Sequence, residues 1–170
     1  MSRQYHRSLP APEPPPSNPI SLIEDYAIDQ DWSSERTNEY ELWSEIPSQW
    51  GSQRLWAAFH EDTGFLQCNC YLNIKIPPRH LLDTSHTITL INERVWLGHF
   101  EIWSEEMVPV FRIVVPLRGT ELTPEQLEDI LSSILQETER FFPTFQWVIW
   151  GGKKPEDAIA ATIVETEGEA

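Results

Sequence analysis

The amino-acid sequence predicts an α+β domain, an antiparallel sheet with flanking helices, in the order α-β-β-β-α-β-β-α-α. Segments of alternating polarity come in hairpin-connected groups rather than one by one between helices, which argues against a parallel sheet. Segments with helical apolar spacing precede, divide and follow those groups. The third observation is size. A chain of 170 residues with eight Trp, seven Phe and four Tyr can fill one core but not two.

Residues 1–19 hold six prolines, among them Pro14-Pro15-Pro16, with two arginines and few aliphatic residues. So little burial predicts a disordered, Pro-rich N-terminal arm. The arm contains Pro12-x-x-Pro15, a spacing that polyproline-binding domains read, yet Pro-rich tails produce it often and a plain leader is the expectation. The folded domain is expected over residues 20–166, with a frayed acidic C-terminus at 167–170.

From Ile20, the residues Ile23, Tyr26 and Ala27 share one helical face ahead of Trp32. Tyr40, Leu42, Ser44 and Ile46 then alternate with Glu39, Glu41, Trp43 and Glu45, which predicts a half-buried strand that Pro47 ends. Arg54–His60 and Phe65–Ile76 read as two more strands, joined by Asp62-Thr63-Gly64, where Gly64 can take the left-handed conformation of a short hairpin loop. Pro77-Pro78 stop the sheet. The stripe Leu81, Thr84, Ile88, Ile91, Val95 predicts an amphipathic helix, with Gly98 placed to end it.

His99–Trp103 and Val108–Val115 form a second predicted hairpin around Ser104-Glu105-Glu106. Thr123-Pro124-Glu125-Gln126 is a helix start with a capping box, and Leu127, Ile130, Leu131, Ile134, Leu135 and Thr138 mark the buried stripe that follows. Pro143 is expected to kink or stop this helix, although Phe145, Val148 and Ile149 keep its spacing. Gly151-Gly152 break the pattern, and Pro155-Glu156-Asp157 open a last short helix carrying Ile159 and Ile163.

Charge and motifs narrow the function. With 27 acidic against 12 basic residues the net charge is −15, so nucleic acid is not an expected partner. No apolar run is long enough to span a membrane and no signal-peptide core is visible, so the expected location is cytoplasmic. Cys68 and Cys70 fall on one face of a strand and are expected to be reduced core thiols. Together with His60, His80, His86 and His99 they lack the paired spacing of a metal site, and neither metal nor cofactor is expected.

Serine-hydrolase, nucleotide-loop and dinucleotide fingerprints are absent from the sequence. Gly151-Gly152-Lys153-Lys154 precedes a helix but follows no strand, so a helix–helix turn is expected there rather than an anion site. His99 and Glu101, two apart on a strand, are the one acid–base pair worth naming, as the centre of an alternative small-molecule or enzymatic pocket. Trp43 and Trp56 fall on strand faces opposite the core and are the candidates for protein contact; a further helix covering that face is the competing explanation.

The segment Asn92-Glu93-Arg94-Val95-Trp96-Leu97-Gly98-His99-Phe100-Glu101-Ile102-Trp103 resembles the signature of the YbjN family, bacterial proteins described as sensory transduction regulators. So does Glu139–Lys153, with Trp147, Trp150, Gly151 and Gly152. With Ala158-Ile159-Ala160-Ala161 and the acidic end, the chain is similar to the alphaproteobacterial form over residues 20–170. The resemblance implies a fold like that of type III secretion chaperones and a non-enzymatic regulatory role with no catalytic residue to carry over. It also implies a homodimer that binds extended segments of a protein partner, here unknown.

Overall fold

The computed structural model describes residues 18–168; the Pro-rich arm up to residue 17 and residues 169–170 lie outside the described residues. The elements are α1 (Pro19–Asp29), β1 (Ser33–Asn38), β2 (Glu41–Ile46), β3 (Gln53–His60), β4 (Phe65–Tyr71), α2 (Leu81–Asn92), β5 (His99–Trp103), β6 (Val108–Pro116), α3 (Pro124–Ile149) and α4 (Pro155–Gly168). Every strand pairing is antiparallel, and the six strands form one sheet in the order β1-β2-β3-β4-β6-β5. The fold is therefore α+β with an antiparallel sheet and flanking helices.

Strand alternation sorts side chains onto two faces. The inner face presents Leu42, Ile46, Leu55, Ala57, Leu66, Cys68, Cys70, Phe100, Phe111 and Ile113, all buried. Against it pack Ile20 and Ile23 of α1, Ile88 and Ile91 of α2, and the α3 stripe from Leu127 to Ile149. Phe100 is the aromatic centre, 4.8 Å from Phe111 and 5.5 Å from Phe145 between ring centroids. The last helix, α4, lies on α2 and α3, burying Ala158 and Ile159, with the Thr162 and Thr144 hydroxyls hydrogen-bonded to each other.

Several boundaries differ from the sequence expectation. Asn18 caps α1 through its side chain and Pro19 is already helical, one residue before the Ile20 at which the apolar spacing starts. The polar segment Ser33–Asn38, which has no buried face and so no apolar alternation, forms the additional edge strand β1. Arg36 ties it to α1 through Glu24 at 2.7 Å and Ser21 at 3.2 Å. Strand β4 ends at Tyr71, but Leu72, Ile74 and Ile76 remain buried while the Leu72 and Ile76 amides donate to the Pro109 and Met107 carbonyls. At the other end of the chain, α4 spans Pro155–Gly168.

The largest correction concerns Pro143. Instead of breaking, α3 runs as one helix of 26 residues through it. A proline leaves the carbonyl four residues earlier without its helical donor. That carbonyl belongs to Glu139, and the Trp50 indole Nε1 donates to it at 3.3 Å from the β2–β3 loop. The same indole stacks on Phe142, with planes 8° apart and centroids at 5.8 Å. Trp50→Phe keeps the ring and removes the donor, so it should lower the unfolding free energy by about 1–3 kcal/mol in a denaturant titration.

One turn earlier, burial pushes the Glu137 carboxyl above its ordinary range, against a smaller opposing pull from Arg140, 4.0 Å away. A carboxyl whose folded pKa is raised contributes stability below its unfolded pKa and loses it as pH rises through the folded one. Urea unfolding at about pH 4 and about pH 7 should therefore show Glu137→Gln gaining on the wild type at the higher pH.

Candidate protein-docking face

Among the described residues α1, α2 and α3 pack on the inner side of the sheet and α4 on α2 and α3, so the outer face described is built by strand residues. Cross-strand register lines them up in rows. One runs Glu35, Trp43, Trp56, Asn69, Arg112, His99; the next runs Glu45, Arg54, Tyr71, Val110, Glu101. Tyr71, Val108 and Val110 are buried there beneath partly buried Trp43, Trp56 and Trp103, a second cluster separate from the core. The competing expectation, a helix covering Trp43 and Trp56, does not hold among the described residues.

The aromatic rings touch in series. Trp43 is 6.4 Å from Trp56 and 5.5 Å from Tyr71, and Tyr71 meets Trp103 edge-on at 6.0 Å. The Arg54 guanidinium lies over both Trp43 and Tyr71, at 5.7 and 5.3 Å from their centroids, and is held by Glu106 at 2.6 Å. The Trp56 indole donates to Glu41 Oε1 at 2.6 Å. Two shallow clefts flank Arg54. One, of about 280 Å³, includes Glu35, Trp43 and Glu45; the other, of about 300 Å³, includes Tyr71, Lys75, Glu106 and Val108. Rigid aromatics with polar tips, ringed by charge, are the chemistry of a protein contact surface.

The His99–Glu101 pair lies at the far end of this face. His99 Nε2 is 3.7 Å from Glu101 Oε2, and Arg112 approaches the other carboxylate oxygen at 3.5 Å. Arg112 also donates to Gln67, which donates to Asn69. The pair is thus a surface ion cluster, with the His99 side chain half exposed, and neither residue lines either cleft beside Arg54.

The remaining signature residues hold the frame or stand clear of it. Asn92, the last residue of α2, accepts from the Phe100 amide at 2.8 Å and donates to the Phe100 carbonyl at 3.0 Å. Strand β5 is an edge, so this side chain satisfies backbone groups that have no further strand to pair with. Gly98 does not end α2, which stops at Asn92; it enters β5 at φ +81°, where a Cβ would meet the Arg112 carbonyl and Ile113 Cγ1 at 2.7 Å.

Trp96 is fully exposed, and Trp150 is exposed at the end of α3. Trp147 lies beneath the Lys153 ammonium, 4.4 Å from its ring centroid. Gly151 and Gly152 make the turn from α3 to α4, Gly152 at φ +62°, so the Gly-Gly-Lys-Lys segment is a helix–helix turn as expected. Cys68 and Cys70 are free and buried, and burial pushes both thiols up to about 12. Among the described residues no three His, Cys, Asp or Glu side chains are grouped to hold a metal ion. No helix among them is long and apolar enough to cross a membrane.

A model of the YbjN family, described as "Putative bacterial sensory transduction regulator", matches residues 19–147. The chain belongs to the YbjN family. The match takes in the whole sheet and ends within α3, so Trp150, Gly151 and Gly152 lie beyond it. Among solved structures, the chain is similar to YbjN from E. coli, itself described as a putative transcription regulator, at 10% identity and a TM-score of 0.48, covering 88% of this chain and 92% of that one. It is also similar to the ExsC-ExsE complex, at 13% identity and a TM-score of 0.48, over 71% of this chain and 88% of the other. Among curated proteins, none matches.

Sequence reasoning placed Trp43 and Trp56 on the face opposite the core, where they lie, but missed Arg54, Tyr71 and Trp103 as their neighbours, because only cross-strand register brings them together. The signature splits into framework and surface, and stability should report the split. Asn92→Ala leaves both Phe100 backbone groups without their partner and should cost about 1–3 kcal/mol in chemical denaturation. Fully exposed Trp96→Ala should stay within about 0.5 kcal/mol.

Proposed function

We propose that this YbjN-family protein is a non-catalytic regulatory or chaperone-like module that binds a protein partner on the outer face of its sheet, with Trp43 and Trp56 as anchors. One observation carries this reading: the half-buried rings of Trp43, Trp56 and Trp103 join around buried Tyr71 on a sheet face that no helix among the described residues covers. Half-buried indoles keep apolar area and an N–H donor available at little ordering cost, which is what interface anchors supply. The acidic charge disfavours nucleic acid, and the cytoplasm is the proposed compartment. A homodimer belongs to the same reading; exposed Leu82, Trp96 and Leu97 provide apolar surface away from the aromatic cluster.

A small-molecule or enzymatic pocket around His99 and Glu101 has less behind it, since that pair is an exposed ion cluster. Catalysis needs reacting groups sheltered from water and converging on a substrate-sized cavity.

The test is affinity purification of the tagged protein from its native host, compared with a Trp43→Ala, Trp56→Ala double variant. The wild type should retain a stoichiometric partner that the variant loses, while the variant's circular dichroism and cooperative unfolding persist. Equal capture by both would remove this face from consideration. Loss of folding in the variant would place the two indoles in the structural core instead; Trp43→Phe, Trp56→Phe, which keeps the packing, then separates the two roles.

A further inference from the structure

We propose that the partner segment docking on the outer face is extended and basic, with an Arg or Lys side chain seated on Trp43 between Glu35 and Glu45 and an apolar side chain two residues further on at the Tyr71 cluster. The proposal rests on the reading of this face as a docking surface and names the chemistry of its occupant. Charge complementarity and geometry carry it.

Trp43 is framed by carboxylates. Glu41 and Glu45 flank it on β2, each two residues away and about 7 Å off at strand spacing, and Glu35 stands directly opposite on β1. Glu35 and Glu45 are exposed, and among the described residues none of the three glutamates is in an ion pair. Glu41 is met by neutral donors, the Trp56 indole at 2.6 Å and the Asn38 amide at 3.0 Å. An indole among unneutralised carboxylates attracts a cation twice, through the negative face of the ring and through the charges beside it.

The two arginines of the outer face are already engaged. Arg54, the register partner of Glu45, turns to Glu106 at 2.6 Å, and Arg112 faces Glu101 at 3.5 Å. Charges toward the β5 side of the face are therefore matched in pairs, whereas the Trp43 end keeps a surplus of negative charge. That asymmetry gives a bound segment its direction.

Geometry sets the spacing. The shallow cleft of about 280 Å³ that includes Glu35, Trp43, Glu45 and Arg54 is at the small end for a ligand site and suits one long side chain. Beyond it, Tyr71 lies 5.5 Å from Trp43 and belongs with Val108 and Val110 to the buried apolar cluster against which Trp103 packs. Alternate residues of an extended chain fall on one side about 7 Å apart, so a basic residue at the cleft brings the residue two positions on to that cluster. The net charge of −15 disfavours a second copy of this chain as the occupant.

The probe is a synthetic peptide of three Ser-Arg-Ser-Leu repeats, titrated at low salt into the ¹⁵N-labelled full chain, with a counterpart that carries Glu in place of Arg. The basic peptide should shift the Trp43 and Trp56 indole N–H signals saturably, leave Trp50, Trp96 and Trp150 in place, and bind about fivefold or more tightly than the acidic one. Glu35→Gln with Glu45→Gln should erase that preference, and Glu35→Lys with Glu45→Lys should reverse it. The same loss of charge at exposed positions of α3, Glu128→Gln with Asp129→Asn, should leave it intact. Every replaced side chain is exposed, so all the variants should keep wild-type thermal unfolding.

Equal binding of the two peptides, no saturable shift at Trp43, or a preference that survives Glu35→Gln with Glu45→Gln would overturn the proposal. Spermidine binding at Trp43 as tightly as the basic peptide would also overturn it, by making the site one for small polycations. Failure here is separable from failure of the docking reading. A native partner lost by Trp43→Ala, Trp56→Ala but fully captured by Glu35→Gln, Glu45→Gln leaves the face a docking surface and removes only the basic segment, whereas retention by the Trp variant removes both.

Discussion

The architecture depends on one hydrogen bond between distant parts of the chain. Glu139 would present an unpaired carbonyl inside α3 because Pro143 carries no amide hydrogen, and the Trp50 indole, 89 residues earlier in sequence, supplies the donor. With that carbonyl satisfied, α3 continues unbroken through Pro143 and brings Phe141, Phe142 and Phe145 down onto the sheet together with the earlier Leu127 to Ile134 stripe. The stack of Trp50 on Phe142 couples the β2–β3 loop to the same helix. A helix stopped at Pro143 would divide the wall that closes the core.

That wall determines what is left over. Because α1, α2 and α3 all bury their apolar stripes on the inner face, and α4 packs on α2 and α3, no helix among the described residues remains for the outer face. Tyr71, Val108 and Val110 are shielded there only by their large neighbours, and Trp43, Trp56 and Trp103 keep part of their rings in water. Strand β1 is polar, and Asn92 occupies the Phe100 backbone groups on the opposite edge. The edges are thus blunted against uncontrolled strand pairing.

How much of this was legible in the sequence follows from the range of the interactions. Local signals carried well: the Thr123–Gln126 capping box forms as its spacing implies, Gly64 takes the left-handed conformation that closes the β3–β4 hairpin, and strand parity put Trp43 and Trp56 opposite Leu42 and Leu55. Edge strand β1 escaped because a strand with no buried side has no apolar alternation to read. The continuity of α3 escaped because its support comes from a loop far away in sequence. Asn92 was recognisable as part of a family motif, but its work on the β5 edge is visible only once strand order is known. Likewise Arg54, Tyr71 and Trp103 join the two tryptophans through register, which no single segment encodes.

The central claim is that the outer face, and not the exposed apolar residues near α2, is where a partner binds. The most direct measurement is an NMR titration of the ¹⁵N-labelled full chain with its captured partner, following the eight indole N–H signals individually. The account predicts that Trp43, Trp56 and Trp103 shift together and saturably while Trp96 and Trp150 stay in place. Movement confined to Trp96 and Trp150, with the outer-face indoles unchanged, would contradict it.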